Sequence, residues 1–485
     1  MQNSQSWCAG MAKPRLFFRS AFKAPVPEAS AAPGSKGTSL WSIWKLTWPQ
    51  VLMMLFHFLI GFVDVLVAGR LGKDVQACMG MITHALFFFL MVAVALGNGS
   101  VAAISQSLGA GLILRAKRYI GLGLEVGVLF GIVFLGVGIL FGNFFLQFLQ
   151  IPQEIFPIAR YLFEVFIYIV PAYYIFIICN AFFRAQKKVM CPLFAMLIVM
   201  AVNTAGDFGL GLGWFGLPRI GYKGLAWSTF ASVACGMLFD LWVLRRTGFL
   251  QRCSFPPLRW IKRAWPFLFK VSWPAGLSQL VWHSAYLALY ALTAALPVGS
   301  VVALAGMSAG IRVESLLFLP GAAFNFTASI IVGHKLGEGD SAGARRAGYQ
   351  IMFSGLVLVS LVTMLLWLVV EPIAAFIAPD PQVQMETVDY LKYNMAAIPF
   401  LLPAMILGGA LMGAGATFYQ MLVMGGSAWL VRIPLAYVLG HLVIREADGI
   451  WMAMFISMVI QAALMIYVYQ FKDWTKFAMR KKARA

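Results

Sequence analysis

The sequence predicts an all-α polytopic membrane protein: twelve transmembrane helices in two six-helix bundles related by a pseudo-twofold axis along the membrane normal. Three observations carry this. The 485 residues are 61% hydrophobic and only 11% charged, with a mean hydropathy of +0.83, far from the composition of a soluble domain. Twelve apolar stretches, each long enough to cross a hydrocarbon core of about 30 Å, follow one another with lysine and arginine gathered on alternate connections. The second half of the chain repeats the first.

In chain order, residues 1–45 hold Lys13, Arg15, Arg19, Lys23 and Lys36 among Pro, Ala, Gly and Ser, without the apolar core of a signal peptide. They read as a basic, mostly disordered cytoplasmic tail whose LFF and AF patches can touch anionic membrane lipid. The first span, 46–69, contains a single carboxylate, Asp64. Placing a carboxylate at such depth costs about 2.5 to 3.5 kcal/mol on insertion scales, so Asp64 is expected to face protein or water and to take a proton or an ion. Spans follow at 76–107, at 119–142 with a close-packing face of Gly123, Gly127 and Gly131, and at 155–183 with a kink expected at Pro171. The fifth, 190–213, carries Asn203 and Asp207, and the sixth, 224–244, carries Thr229. A basic linker, 246–270, separates this N-lobe (46–245) from a C-lobe (271–471). The C-lobe spans are 271–296, 301–332, 348–370, 390–412, 420–443 and 450–470, with kinks expected at Pro399, Pro403 and Pro434. Residues 472–485 form a second basic tail.

The net charge of +19 sits in the tails, in the linker and in the even-numbered connections, where it acts as a topology signal and not as a nucleic-acid surface. That pattern puts both termini in the cytoplasm, in a multi-pass protein of the inner (cytoplasmic) membrane. The halves align with a shift of 225 to 229 positions: Trp48-Pro49 over Trp273-Pro274, NAFFRAQ (180–186) over GALMGAG (409–415), and KGLAWSTFAS (223–232) over DGIWMAMFIS (448–457). Because six is even, both copies enter from the same side, which leaves a cavity between two lobes, the layout that supports alternating access.

Several familiar strings carry no chemistry here. Gly211-x-Gly213-x-x-Gly216 copies a dinucleotide fingerprint and Gly306-Met-Ser308-Ala-Gly310 a nucleophile elbow, but neither follows a strand. The six cysteines are scattered, without zinc or disulfide spacing, and read as packing thiols. There is no phosphate loop, metal-ligand cluster or nucleophile–base pair, so ATP-driven transport and enzyme activity are not expected.

The strings VDVLVAGRLG (63–72), FRAQKKVMCP (183–192), NTAGDFGLGLG (203–213), GLAWST (224–229), IRVESLLFLP (311–320), VGHKLGEGD (332–340) and GALMGAGAT (409–417) resemble the multidrug and toxic compound extrusion (MATE) family. That family lies within the multidrug/oligosaccharidyl-lipid/polysaccharide flippase superfamily, and the resemblance runs from about Trp48 to Tyr469. It implies a two-bundle, monomeric exporter of amphipathic or cationic organic compounds, driven by proton or sodium entry, with no other cofactor. It places the coupling site on Asp64, Asn203, Asp207 and Thr229, with Na⁺ as the only metal that site would take. Depth agrees: Asp64 lies 16 residues beyond Trp48 and Asp207 lies 17 beyond Met190, so both stand roughly 25 Å above the inner face. Two carboxylates at one depth can share a proton or cage a cation. The chain departs from NorM-like members, which resemble a pattern with Glu on the seventh helix and Asp on the tenth; Trp282 and about Leu401 stand there. Coupling is therefore expected in the N-lobe, as in the DinF-like branch, which favours protons.

Further candidates for gating or substrate contact are Arg312 and Glu314, expected to form a mutual or interhelix ion pair, Trp282 and Tyr286 as aromatic wall, and His57, which shares a face of the first helix with Asp64. Met53, Met54, Met405 and Met412 are candidates for adaptable pocket surface. Glu125, Glu164 and Asp240 lie nearer helix ends and are expected to be solvated or paired. Arg432 falls where Asn203 lies in the first repeat. The alternative function is a flippase of lipid or lipid-linked oligosaccharide, which would line its cavity with many cations; here only Arg312 and Arg432 lie deep.

Overall fold

The structure, a computed structural model, describes residues 39–148, 150–378 and 380–479. The expected disorder and lipid contact of residues 1–38 fall outside the described residues. Long apolar runs interrupted by glycine, proline and basic residues form twelve long helices, and no strand occurs among the described residues. They are α1 (Leu40–Leu71), α2 (Lys73–Gly109), α3 (Ile113–Phe148), α4 (Phe156–Ala185), α5 (Met190–Gly206, continued by a π turn Asp207–Gly211) and α6 (Tyr222–Arg246). The second lobe has α7 (Leu258–Ala294), α8 (Ser300–Glu338), α9 (Ser341–Trp367), α10 (Pro381–Ala414), α11 (Thr417–Val443) and α12 (Ala447–Phe471).

Eleven of these are long and apolar enough to span a membrane. The twelfth, α7, has its hydropathy lowered by Ser272, Ser278, Gln279, His283 and Ser284; it packs against α2 and α11, with Ser272 and Ser278 buried. Two helices begin earlier than the apolar runs imply. α1 starts at Leu40, within the stretch read as tail, and α7 starts at Leu258, within the stretch read as linker. In α7 the reason is amphipathicity: Ala264 and Leu268 are buried against the N-lobe core with Trp260, Ile261 and Trp265, while Arg259, Lys262 and Arg263 stay exposed.

Tight packing follows the small residues. A Cβ on Gly127 or Gly131 would meet Ile178 or Pro171 of α4 at 2.6 and 2.9 Å, so the glycine face of α3 is the α3–α4 seam. In α11, π turns at Ser427–Arg432 and Val438–Val443 flank the segment Ile433–Tyr437, which contains Pro434. A residue without an N–H breaks the ladder there, and wider turns absorb the slip. Met53 and Met412, candidates for pocket surface, are buried in packing. Cys78, Cys179 and Cys191 are buried free thiols, whereas Cys235 is exposed, unlike the packing role expected of it.

The lobes meet near the face where α1 begins and α12 ends, called here the terminal face. Gln106 of α2 donates to the Gly413 carbonyl (2.8 Å), the His334 ring lies 3.1 Å from the Ser105 carbonyl, and Thr47 and Gln50 bond Thr327 at 2.9 and 3.0 Å. The Arg184 guanidinium sits 3.9 Å over the Phe326 ring. In the connection after α4, burial and the neighbouring Lys335 hold the Lys187 ammonium below its ordinary range, with the carboxylate of Glu338, across the lobe boundary, opposing.

The chain after α12 folds back on this seam. Trp474 is fully buried, stacked 4.8 Å from Tyr469, and donates to the Tyr469 carbonyl at 2.8 Å, while the Met479 N–H donates to Gln106 at 2.8 Å. Trp474→Ala is therefore expected to cost about 3–5 kcal/mol, as for other buried tryptophans. A clear fall in the apparent melting midpoint in detergent is the readout; an unchanged midpoint would show that the docking is incidental.

Candidate functional site

Asp64 stands on α1 seven residues before Leu71, far from the terminal face. Asp207 opens the π turn that ends α5. A π turn adds a residue to the helical circuit and redirects side chains, which is why such turns recur at functional sites. Gly206, immediately before it, lets α6 come close: a Cβ there would collide with Ser228. Sequence thus fixes both the acid and the backbone that brings a partner to it.

The four residues expected to form the site come together. The carboxyl groups of Asp64 and Asp207 are neighbours, with the Asn203 side chain beside Asp64. Asn203 Nδ2 reaches Thr229 Oγ1 at 3.4 Å, and Thr229 in turn donates to the Leu225 carbonyl at 3.0 Å. Thr229 therefore positions Asn203 and does not touch the acids. Asn203 and Asp207 are fully buried, and Thr229 nearly so. The Ser228 hydroxyl donates to Asp207 Oδ1, and Tyr173 of α4 is an electrostatic neighbour of Asp64. Neither was singled out by sequence reasoning. Ser228 adjoins Thr229 in the string AWST and was readable as a second hydroxyl facing α5; nothing in the sequence marks Tyr173.

Three buried oxygens at this point, Asp64 Oδ1, Asp207 Oδ2 and Asn203 Oδ1, have no hydrogen-bond donor from the protein. Buried acceptors without donors are costly, and two neighbouring carboxylates repel unless a proton or cation lies between them. The arrangement can therefore take up one positive charge. Among the described residues, no group of three or more His, Cys, Asp or Glu gathers to hold a metal ion, so a metal here would rely on the two acids, the amide and water.

The remaining candidates separate. Arg312 and Glu314 do not pair with each other: two positions apart on α8, they point to different faces, Arg312 exposed and Glu314 buried. Glu314 instead accepts from Tyr390 at 2.6 Å and has Arg432 as a charge neighbour. Trp282 and Tyr286 lie side by side with ring centroids 5.5 Å apart. His57 is exposed on α1 and contacts neither acid of the pair. Glu164 forms an exposed ion pair with Arg160 at 2.9 Å. Asp240 departs most from expectation. It is completely buried, and neither carboxylate oxygen has a hydrogen-bond partner; it is an electrostatic neighbour of Cys179 and Cys191. It lies eleven residues from Thr229 along α6, roughly 16 Å, so it is not part of the pair.

The MatE family profile matches residues 49–208 and 274–438, one match in each lobe. "Probable multidrug resistance protein NorM" of Bradyrhizobium diazoefficiens is 28% identical, over 87% of this chain and 91% of that protein. A protein of the same name from Thermotoga maritima is 22% identical, over 91% of this chain and 94% of that protein. Among solved structures, "Outward-facing conformation of a multidrug resistance MATE family transporter of the MOP superfamily" superposes with a TM-score of 0.83 at 17% identity, covering 90% of this chain and 96% of that one. That likeness extends to the fold: twelve helices in two bundles.

Proposed function

The chain belongs to the MatE family, and on that premise we propose that it is a secondary active multidrug efflux antiporter exporting amphipathic, cationic organic compounds by alternating access. The observation that carries the coupling step is the adjacency of Asp64 and Asp207, with three acceptor oxygens left without donors. Two neighbouring buried carboxyls repel until one of them is protonated, so we infer that the coupling ion is H⁺, held by Asp64 and Asp207 and supported by Asn203, Ser228 and Thr229. Placement of lysine and arginine supports a cytoplasmic terminal face in the cytoplasmic membrane. With that orientation, the lobes are closed toward the cytoplasm and the acids stand in the outer half, where a proton enters as substrate leaves. The chain works as a monomer on this reading, since α1, α5 and α6 of one chain supply Asp64, Asn203, Asp207 and Thr229.

The test is efflux of a fluorescent organic cation from vesicles holding the purified protein, under an imposed proton gradient and then under a sodium gradient. Proton-driven efflux that sodium does not replace is the expected result. Sodium-driven efflux would turn the same four residues into a cation cage. No efflux under either gradient would remove the antiporter reading and direct attention to lipid flipping.

A further inference from the structure

Toward the end of the first lobe that lies away from the terminal face, α3 and α4 leave a crevice of about 130 Å³ between them. Gly138 and Gly142 of α3 form its floor: a Cβ on the first would meet Ile167 at 2.6 Å and one on the second would meet Phe163 at 2.8 Å. The larger side chains around these glycines stand clear as walls. Ile139 and Tyr168, which line the crevice, are each 57% exposed, and Leu140 and Phe144 beside it are more so. Exposed apolar surface on a membrane-spanning helix faces lipid, so the crevice opens sideways to acyl chains. Two charges also line it: Arg160 and Glu164 of α4, whose Nε and Oε1 are 2.9 Å apart and whose side chains are 53% and 52% exposed.

Depth gives these charges a meaning. Arg160 and Glu164 stand four and eight residues after Phe156, the first residue of α4, or roughly 6 and 12 Å along the axis. The 30 residues of α4 extend roughly 45 Å, the thickness of a bilayer with its headgroups. The pair therefore lies where headgroups meet hydrocarbon. An exposed i, i+4 ion pair adds little to stability, and this one joins Nε to a single carboxylate oxygen, leaving both Nη groups and the other oxygen for a ligand. The repeat supplies a comparison. The equivalent helices of the second lobe, α9 and α10, leave a crevice of about 280 Å³ lined by Met364, Trp367 and Met395, with no charged residue in its lining. A lipid-facing groove in this fold does not itself require charge.

We propose that the α3–α4 crevice is a binding site for one phosphatidylethanolamine molecule, its phosphate on Arg160, its ammonium on Glu164 and an acyl chain laid along Ile139 and Tyr168. The headgroup carries the two charges of the protein pair in opposite sense, so each partner of the ion pair exchanges one contact for another of the same kind. Arginine meets phosphate with a fork of N–H donors, and a primary ammonium brings N–H donors to the carboxylate. Phosphatidylcholine has no N–H to offer Glu164. Phosphatidylglycerol brings no cation, and its net negative charge opposes that carboxylate. The site goes beyond the efflux reading and does not rest on it, since it needs only that α3 and α4 cross the membrane.

The test counts lipids retained by the purified full chain in native mass spectrometry. Phosphatidylethanolamine, phosphatidylcholine and phosphatidylglycerol of identical acyl chains are titrated separately into wild type, Arg160→Gln, Glu164→Gln and Ile139→Trp. Wild type should retain its first phosphatidylethanolamine at a concentration at least tenfold below that needed for either other lipid. Glu164→Gln should remove the preference over phosphatidylcholine, and Arg160→Gln should weaken retention of the first lipid whichever headgroup it bears. Ile139→Trp fills the crevice from its exposed side without touching the charges, and should lower phosphatidylethanolamine retention at least tenfold. Melting midpoints without added lipid check that each variant is folded; the two charge variants alter only an exposed pair and decide the matter if the tryptophan variant is unstable. Equal retention of the three lipids by wild type overturns the site, as does a phosphatidylethanolamine preference that survives in both charge variants. A preference for phosphatidylglycerol that depends on Arg160 alone also overturns it, by showing an anion contact in place of recognition of the whole headgroup.

Discussion

Reconstituted Asp64→Asn protein should move a fluorescent cation no faster than empty vesicles under an imposed gradient, while retaining the wild-type melting midpoint. The amide keeps the shape and hydrogen-bonding size of the acid but cannot exchange a proton, so the charge-uptake step is removed while the packing of α1 against α5 remains. Asp207→Asn should behave the same way, because the closeness of the acids makes them one proton-binding unit. Ser228→Ala, which deletes only a donor to Asp207, should lower the rate without abolishing transport. Asp240→Asn is the control: that acid is buried about three turns away with no partner to lose, and efflux should persist. Gradient-driven efflux by Asp64→Asn at the wild-type rate would sink the coupling assignment, and loss in Asp240→Asn alone would move it to the other end of α6.

The second large effect is expected at the lobe seam. Gly109 of α2 and Gly337 of α8 pass so closely that a Cβ on Gly109 would collide with the His334 carbonyl and one on Gly337 with the Gln106 carbonyl. Both obstacles are backbone, so neither helix can yield by a rotamer change. Gly109→Val should therefore destabilise the closed terminal face by about 1–3 kcal/mol, the usual cost of overpacking, shifting the conformational equilibrium roughly 5- to 150-fold toward separation there. Spin labels at the exposed positions Leu112 and Ala342 flank this seam, and their distance distribution should lengthen in the variant. An unchanged distribution would mean that the seam is not what holds this face shut.

The seam and the site differ in how far sequence alone reaches them. Asp64 and Asp207 stand out because an uncompensated acid in an apolar run is expensive, and i, i+4 spacing puts Asn203 on the face of Asp207; Thr229 joined them only through the family resemblance. Ser228 and Tyr173 were not recovered, since serine and tyrosine are tolerated in membrane helices for many reasons and only the approach of α6 and α4 gives these two a partner. Arg312 with Glu314 misled for the complementary reason: proximity in sequence suggested a pair that helical geometry forbids. Asp240 misled because distance from a helix end was taken as a measure of solvation, whereas neighbouring helices decide it.

By itself, the sequence determined the class, the number of long helices, the two-fold repeat and the depth of the acids, because hydropathy, charge placement and internal repetition are properties of composition along one dimension. Tertiary structure decided which face the lobes close on, that α1 and α7 begin earlier than their apolar runs, which hydroxyl reaches Asp207, and that Glu314 meets Tyr390 rather than Arg312. Each of these depends on which surfaces meet across helices, and the energy of a buried polar group is set by the partner it finds there.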